Sequence, residues 1–124
     1  MEVRVLLIGN GELSERQRKI LEKHFGEYIL VAHIPIIHDE DVRKISPVEE
    51  CGDLEDEICV DAVVFFKILS KPATELLRKG IRVFDFEVAP SPDRSGDLHN
   101  GLGKTIALRE YKLFPKMASR WIYE

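Results

Sequence analysis

Residues Val3 to Ile8 are apolar apart from Arg4 and run directly into Gly9-Asn10-Gly11-Glu12, then into the helix-start signal Ser14-Glu15-Arg16-Gln17. This succession constrains the fold more than any other feature of the chain. A strand apolar on both faces must be covered on both faces, as a central strand of a parallel sheet is and a half-solvated hairpin strand is not. In Ser14 to Gln17 the hydroxyl is positioned to accept from the Gln17 amide while Gln17 reaches back, which is a capping box, so a helix opens straight after the turn. Its apolar positions Ile20, Leu21 and Phe25 share a face, and Gly26 is suited to the left-handed conformation that ends it. Tyr28 to Ile37, rich in β-branched and aromatic residues, predicts a second strand curtailed by Pro35.

The same grammar recurs further on. Asp61 to Leu69 is the most hydrophobic segment and predicts another buried strand. Ser70 is suited to cap the next helix, Pro72 is tolerated in its first turn, Leu76 and Leu77 face the sheet and Gly80 ends it. Ile81 to Val88 predicts the following strand. Thr105 to Phe114 alternates as an edge strand, and the tail with Trp121 and Tyr123 packs back on the domain or on a partner. The chain therefore reads as one Rossmann-like α/β domain over 1–124, a parallel sheet with helices on both faces and a core in Val5, Leu7, Val63, Phe65, Val83 and Phe84. Right-handed crossovers bring the loops 10–14, 67–71 and 87–100 to one rim.

Composition narrows the function classes. No apolar run reaches the roughly 20 residues of a membrane span. The N-terminus lacks the basic and small-residue flanks of an export signal, so a soluble, cytoplasmic protein is expected. Cys51 and Cys59 are too few for a disulfide scaffold, and no Cys or His pair has zinc-finger spacing, so neither a metal nor a cofactor is expected. Between 39 and 61 ten acidic residues face only Arg43 and Lys44. That block reads as an exposed excursion with one or two short helices, and it exceeds the whole chain's net charge of −4, so the remainder is net positive and has room for an anionic ligand.

Two phosphate motifs are approached and missed. Gly101-Leu102-Gly103-Lys104-Thr105 lacks the earlier glycine of a P-loop, since position 98 is Leu, and a strand rather than a helix follows. Gly9-Asn10-Gly11 lacks the third glycine of a dinucleotide fingerprint. An interaction domain resembling a receiver is a weak reading as well, because Asn10 and Lys67 stand where a receiver's carboxylates would. The loops still carry candidates. Amides at the Ser14 helix start either bind an anion or merely cap, with Gly9 and Gly11 allowing close approach. Lys67, Ser70 and Lys71 bring two cations to another helix N-terminus, against its dipole, a conflict that a phosphate would relieve. In the proline-stiffened loop 89–100, Arg94 could grip a phosphate and His99 exchange a proton; the alternative is a bland surface loop. His24, His33 and His38 read as structural.

Several of these elements resemble the short single-domain CRISPR accessory proteins of the CARF type, including ring nucleases. The resemblance rests on Leu13-Ser14-Glu15-Arg16-Gln17 after an apolar strand and polar turn, on Gly80-Ile81-Arg82-Val83-Phe84, on Pro92-Asp93-Arg94-Ser95-Gly96, and on Arg109-Glu110-Tyr111. Where some members have Ser-His before the Leu-Thr element, this chain has Gly11-Glu12, so the role of that histidine is not carried over. The resemblance implies binding and cleavage of cyclic oligoadenylate, with cyclic tetra-adenylate the expected ring, across a homodimer and without duplex nucleic acid or membrane. A ribose 2′-hydroxyl would attack the adjacent phosphorus without metal. Lys67, Arg94 and His99 would be the catalytic groups, and Asn10, Gly11, Ser14, Gln17, Ser70, Lys71 and Ser95 would hold substrate. A non-catalytic nucleotide sensor and a protein-interaction domain are the alternatives.

Overall fold

The computed structural model describes residues 2–52, 55–98 and 101–113. Strand β1 (Val3–Ile8) is central, as its two-faced apolarity requires, and pairs in parallel with β2 (Tyr28–Ile34) on one side. On its other side it pairs in parallel with a strand at Ala62–Phe65. Helix α1 (Glu15–Phe25) makes the first crossover; its cap is the expected box, with the Gln17 amide donating to Ser14 Oγ at 3.1 Å and the Ser14 amide to Gln17 Oε1 at 2.9 Å. The second strand ends at Ile34, one residue before Pro35, which has no amide hydrogen for the ladder.

The acidic segment is more than an exposed excursion. Short helix α2 (Asp39–Lys44) leads into β3 (Ile45–Pro47), a 3-10 turn at Val48–Glu50 and β4 (Ile58–Val60), with β3 and β4 forming a separate parallel pair. Asp39, Glu40, Glu49, Glu50, Glu55 and Asp56 are exposed, but Val42, Ile45 and Val60 are buried in the core. Such a three-residue strand has too few positions to show a period, so the segment's sequence did not reveal the pair.

Ala62–Phe65 is then β5, shorter than the nine-residue apolar run suggested. Its neighbour β1 ends at Ile8, whose carbonyl accepts the Phe66 amide at 2.8 Å as the last rung; beyond that the chain turns away. Helix α3 (Ser70–Arg78) follows, and here Leu69, not Ser70, is the N-cap, with no side-chain cap; the Ser70 carbonyl instead accepts from Thr74 Oγ1 at 2.7 Å. Strand β6 (Arg82–Pro90) pairs in parallel with β5, and β7 (Gly103–Tyr111) returns antiparallel on its outer edge. Of the expected edge strand, Phe114 lies outside the described residues, as do Trp121 and Tyr123.

The sheet order is β2-β1-β5-β6-β7, a mostly parallel doubly wound sheet of Rossmann-like type. Alternation splits the core into two layers. Val5, Leu7, Val64 and Phe84 pack with Leu21 of α1 on one face, while Leu6, Ile8, Val63, Phe65 and Val83 pack with Val42, Ala73 and Leu76 on the other. All six expected core residues are fully buried. Each such side chain contributes roughly 1.5–3 kcal/mol relative to exposure, against about 0–1 kcal/mol for a surface ion pair, so the two layers and not the charged surface hold the fold. Among the described residues no helix is long and apolar enough to cross a membrane.

Candidate functional site

Strands β1 and β5 are neighbours whose chains leave in opposite directions, β1 toward β2 and β5 toward β6. This is the switch point at which doubly wound sheets bind ligands, beyond the carboxyl ends of the strands. A cavity of about 810 Å³ opens there, lined by Asn10, Gly11, Glu12, Ser14, Gln17, Phe66, Asp97 and Leu98. Its wall depends on glycine. At Gly9 (φ 155°) a Cβ would fall 2.4 Å from the Phe66 ring, so only glycine lets that ring lie across the turn. Phe66 also meets Phe86 at 5.9 Å and His33 at 5.6 Å between centroids, and His33 Nε2–H donates to the Gly9 carbonyl at 2.8 Å.

From the third loop, Asp97 and Leu98 line the cavity. The loop's described residues are held by backbone bonds: the Ser91 amide donates to the Leu102 carbonyl at 2.6 Å and the Leu98 amide to that of Gly103 at 3.1 Å. Asp97 fastens it to α1, accepting from Ser14 Oγ at 2.5 Å with one oxygen and from the Thr105 amide at 2.6 Å with the other. Gln17, buried, adds a bond from Nε2 to Thr105 Oγ1 at 3.3 Å. Burial alone would push the Asp97 carboxyl up, but the bonds from Ser14 and Thr105 outweigh it and hold the group below the usual range. A carboxylate of this chain thus already faces the α1 N-terminus, where a ligand anion was one of the two readings.

Of the expected substrate residues, Asn10, Gly11, Ser14 and Gln17 do share the cavity. Lys67 follows Phe66 directly and is exposed. Ser70 and Lys71 are exposed at the start of α3, where Lys71 pairs with Asp39 in the first turn of α2 at 3.3 Å. Arg94 (φ 61°) and Ser95 form an exposed turn around Asp93, whose carboxyl is lowered to about 2, chiefly by the Ser95 hydroxyl. His99 lies outside the described residues. Among the described residues the cavity lining contains two carboxylates and no cation, so Lys67, Lys71 and Arg94 do not converge in it.

Sequence reasoning missed the residues that act from behind. Asp85, 1% exposed, accepts from Arg109 Nε at 2.9 Å and Nη2 at 3.0 Å and from the Ile68 amide at 3.4 Å, pinning the loop that carries Phe66 and Lys67. Bonding to Asp85 raises the Arg109 pKa, and burial followed by the same carboxylate raises that of Tyr111. An acid in the middle of the otherwise apolar run Val83-Phe84-Asp85-Phe86 was the available signal. Phe66 was hidden inside a run read as strand interior.

Comparison of the chain with protein-family models, with curated proteins and with solved structures finds no match. The site therefore rests on its own geometry.

Proposed function

We propose that the chain binds a nucleotide at this switch-point cavity, and that the ligand is the cyclic oligoadenylate which the resemblance to CARF-type proteins implies. The observation that carries the reading is the cavity itself. Its volume, about 810 Å³, suits a ligand of nucleotide size. Phe66 offers a face for a base, and stacking of this kind is worth about 1–3 kcal/mol per base. The Asn10 amide offers both a donor and an acceptor to a base edge, and Glu12 is a carboxylate acceptor for ribose hydroxyls. Lys67, next in the chain to Phe66, exposed and without an ion pair among the described residues, is the cation we assign to a phosphate.

Cleavage would need no metal: the ring is held so that a 2′-hydroxyl lies in line with its phosphorus, and Lys67 offsets charge on the phosphorane. A four-nucleotide ring has the symmetry of a homodimer, whose second copy would repeat these contacts across a two-fold axis. The setting is the cytoplasm, where such rings signal. A second reading, a sensor without turnover, is favoured by the cavity lining, which among the described residues has two carboxylates and no cation. Incubation of cyclic tetra-adenylate with protein and EDTA, followed by chromatography, separates them. Linear products support the nuclease, retained intact ring supports the sensor, and absence of binding refutes both.

A further inference from the structure

Cys51, Glu57 and Cys59 converge at the other end of β1 from the cavity. Arg4, near the start of β1, donates from Nε to the Cys59 carbonyl at 3.1 Å, whereas the cavity lies beyond Ile8, so roughly 13 Å of strand separates the two places. Cys59 is the middle residue of β4 and pairs with Ser46 of β3, whose carbonyl lies 3.9 Å from Cys51 Sγ. Glu57 immediately precedes β4, and its Oε2 accepts the Gly52 amide at 3.1 Å, which aims the carboxylate into the loop. The two sulfurs and a Glu57 oxygen lie within 4.8 Å of one another, and all three residues are half-buried. In the structure the sulfurs are joined as a disulfide.

A disulfide is neutral and has no need of an oriented carboxylate beside it. Reduced, the same backbone presents two sulfur ligands and a carboxylate oxygen already gathered within bonding reach of one central ion. We propose that the reduced chain binds Zn²⁺ through Cys51 Sγ, Cys59 Sγ and a Glu57 oxygen, and that the disulfide is the metal-free form of the same site. Two thiolates and one carboxylate suit this borderline-soft ion, and three protein ligands leave its fourth tetrahedral position to water. The steps balance. A dithiol reductant attacks the disulfide by exchange and leaves as its own disulfide, delivering two electrons and two protons to give Cys51 and Cys59 thiols. Binding of the ion then releases both thiol protons while Glu57 enters as the carboxylate. The backbone bonds that hold Glu57 and Cys59 belong to the loop and to β4, so the ligands start close to their bound positions and little ordering is required.

The test is an anaerobic titration of Co²⁺, then Zn²⁺, into the full chain reduced with a phosphine, followed by absorption. One ion per chain should bind, with a thiolate-to-cobalt charge-transfer band that Zn²⁺ abolishes, and the air-oxidised chain should show no band. Cys59→Ser should abolish the band, and Glu57→Gln, which keeps size and neutralises only the carboxylate, should weaken affinity by about tenfold or more. Circular dichroism of each variant checks that the fold persists. Absence of the band in the reduced chain, an equal response from the oxidised chain, or undiminished affinity in Glu57→Gln would each overturn the proposal.

Discussion

Gly9 shows how one missing side chain builds a wall. Because a Cβ there would lie 2.4 Å from the Phe66 ring, Gly9→Ala must push that ring off the turn. A strained overlap of this size costs typically 1–3 kcal/mol; urea denaturation should show that loss, and nucleotide binding should fall with it. Asp85 acts in the opposite sense, as a buried charge that needs its partners. Asp85→Ala removes the acceptor for Arg109 and the Ile68 amide, and with Arg109 half-exposed and able to find water the cost should lie near the lower end for a broken buried pair, about 3 kcal/mol by the same denaturation. Lys67 is the contrast. Exposed and without an ion pair among the described residues, it should tolerate Lys67→Glu within about 0.5 kcal/mol of stability, as surface changes do. Anion binding should weaken and lose part of its salt dependence. An equal loss of stability would make it a structural lysine.

The β6–β7 hairpin and the loop that joins its strands are where pH should act. Glu110 on β7 accepts from Arg82 on β6 at 2.9 and 3.0 Å, and this bonding holds its carboxyl down at about 2. A depressed folded value means stability that is fully present above the usual Glu range near 4.5 and is lost as pH falls from there toward 2. Melting temperatures measured between pH 6 and pH 2.5 should therefore fall, and Glu110→Gln should fall less steeply. The loop has a separate steric requirement: a Cβ on Gly96 would come within 2.1 Å of the Gly103 carbonyl oxygen, which is backbone and cannot swing aside. Gly96→Ala should free the loop from Asp97's anchorage on α1, seen as faster amide exchange at Leu98 and Thr105 with the sheet core unchanged. Unchanged exchange at both amides would count against that anchorage.

At the scale of the whole molecule, the two ends of the sheet carry different chemistry. The carboxyl rim has the cavity, and the amino-terminal edge has the Cys51–Cys59 loop, which joins residues 8 apart. Closing so short a loop should stabilise by about 2–3 kcal/mol through the unfolded state. Reduction in the presence of a metal chelator should lower the melting temperature accordingly, while nucleotide binding at the far rim should persist at temperatures well below the transition. A loss of binding in step with reduction, with the fold intact, would show the two ends to be coupled.

Local pattern determined the alternation of strand and helix outside the β3–β4 segment, the capping box of α1 and the six core residues, because burial on two faces and capping are written in neighbouring residues. From the rim loops it also determined four of the cavity residues, Asn10, Gly11, Ser14 and Gln17. Only the tertiary structure decided that Asp97, 83 residues beyond Ser14, would share its hydroxyl, and that Lys71 would turn to Asp39. It also decided that Asp85 would pin the loop of Phe66 and that two isolated cysteines would meet beside Glu57. Each of these depends on which strand ends lie side by side, a relation between residues distant in the chain that no local pattern of hydrophobicity or charge encodes.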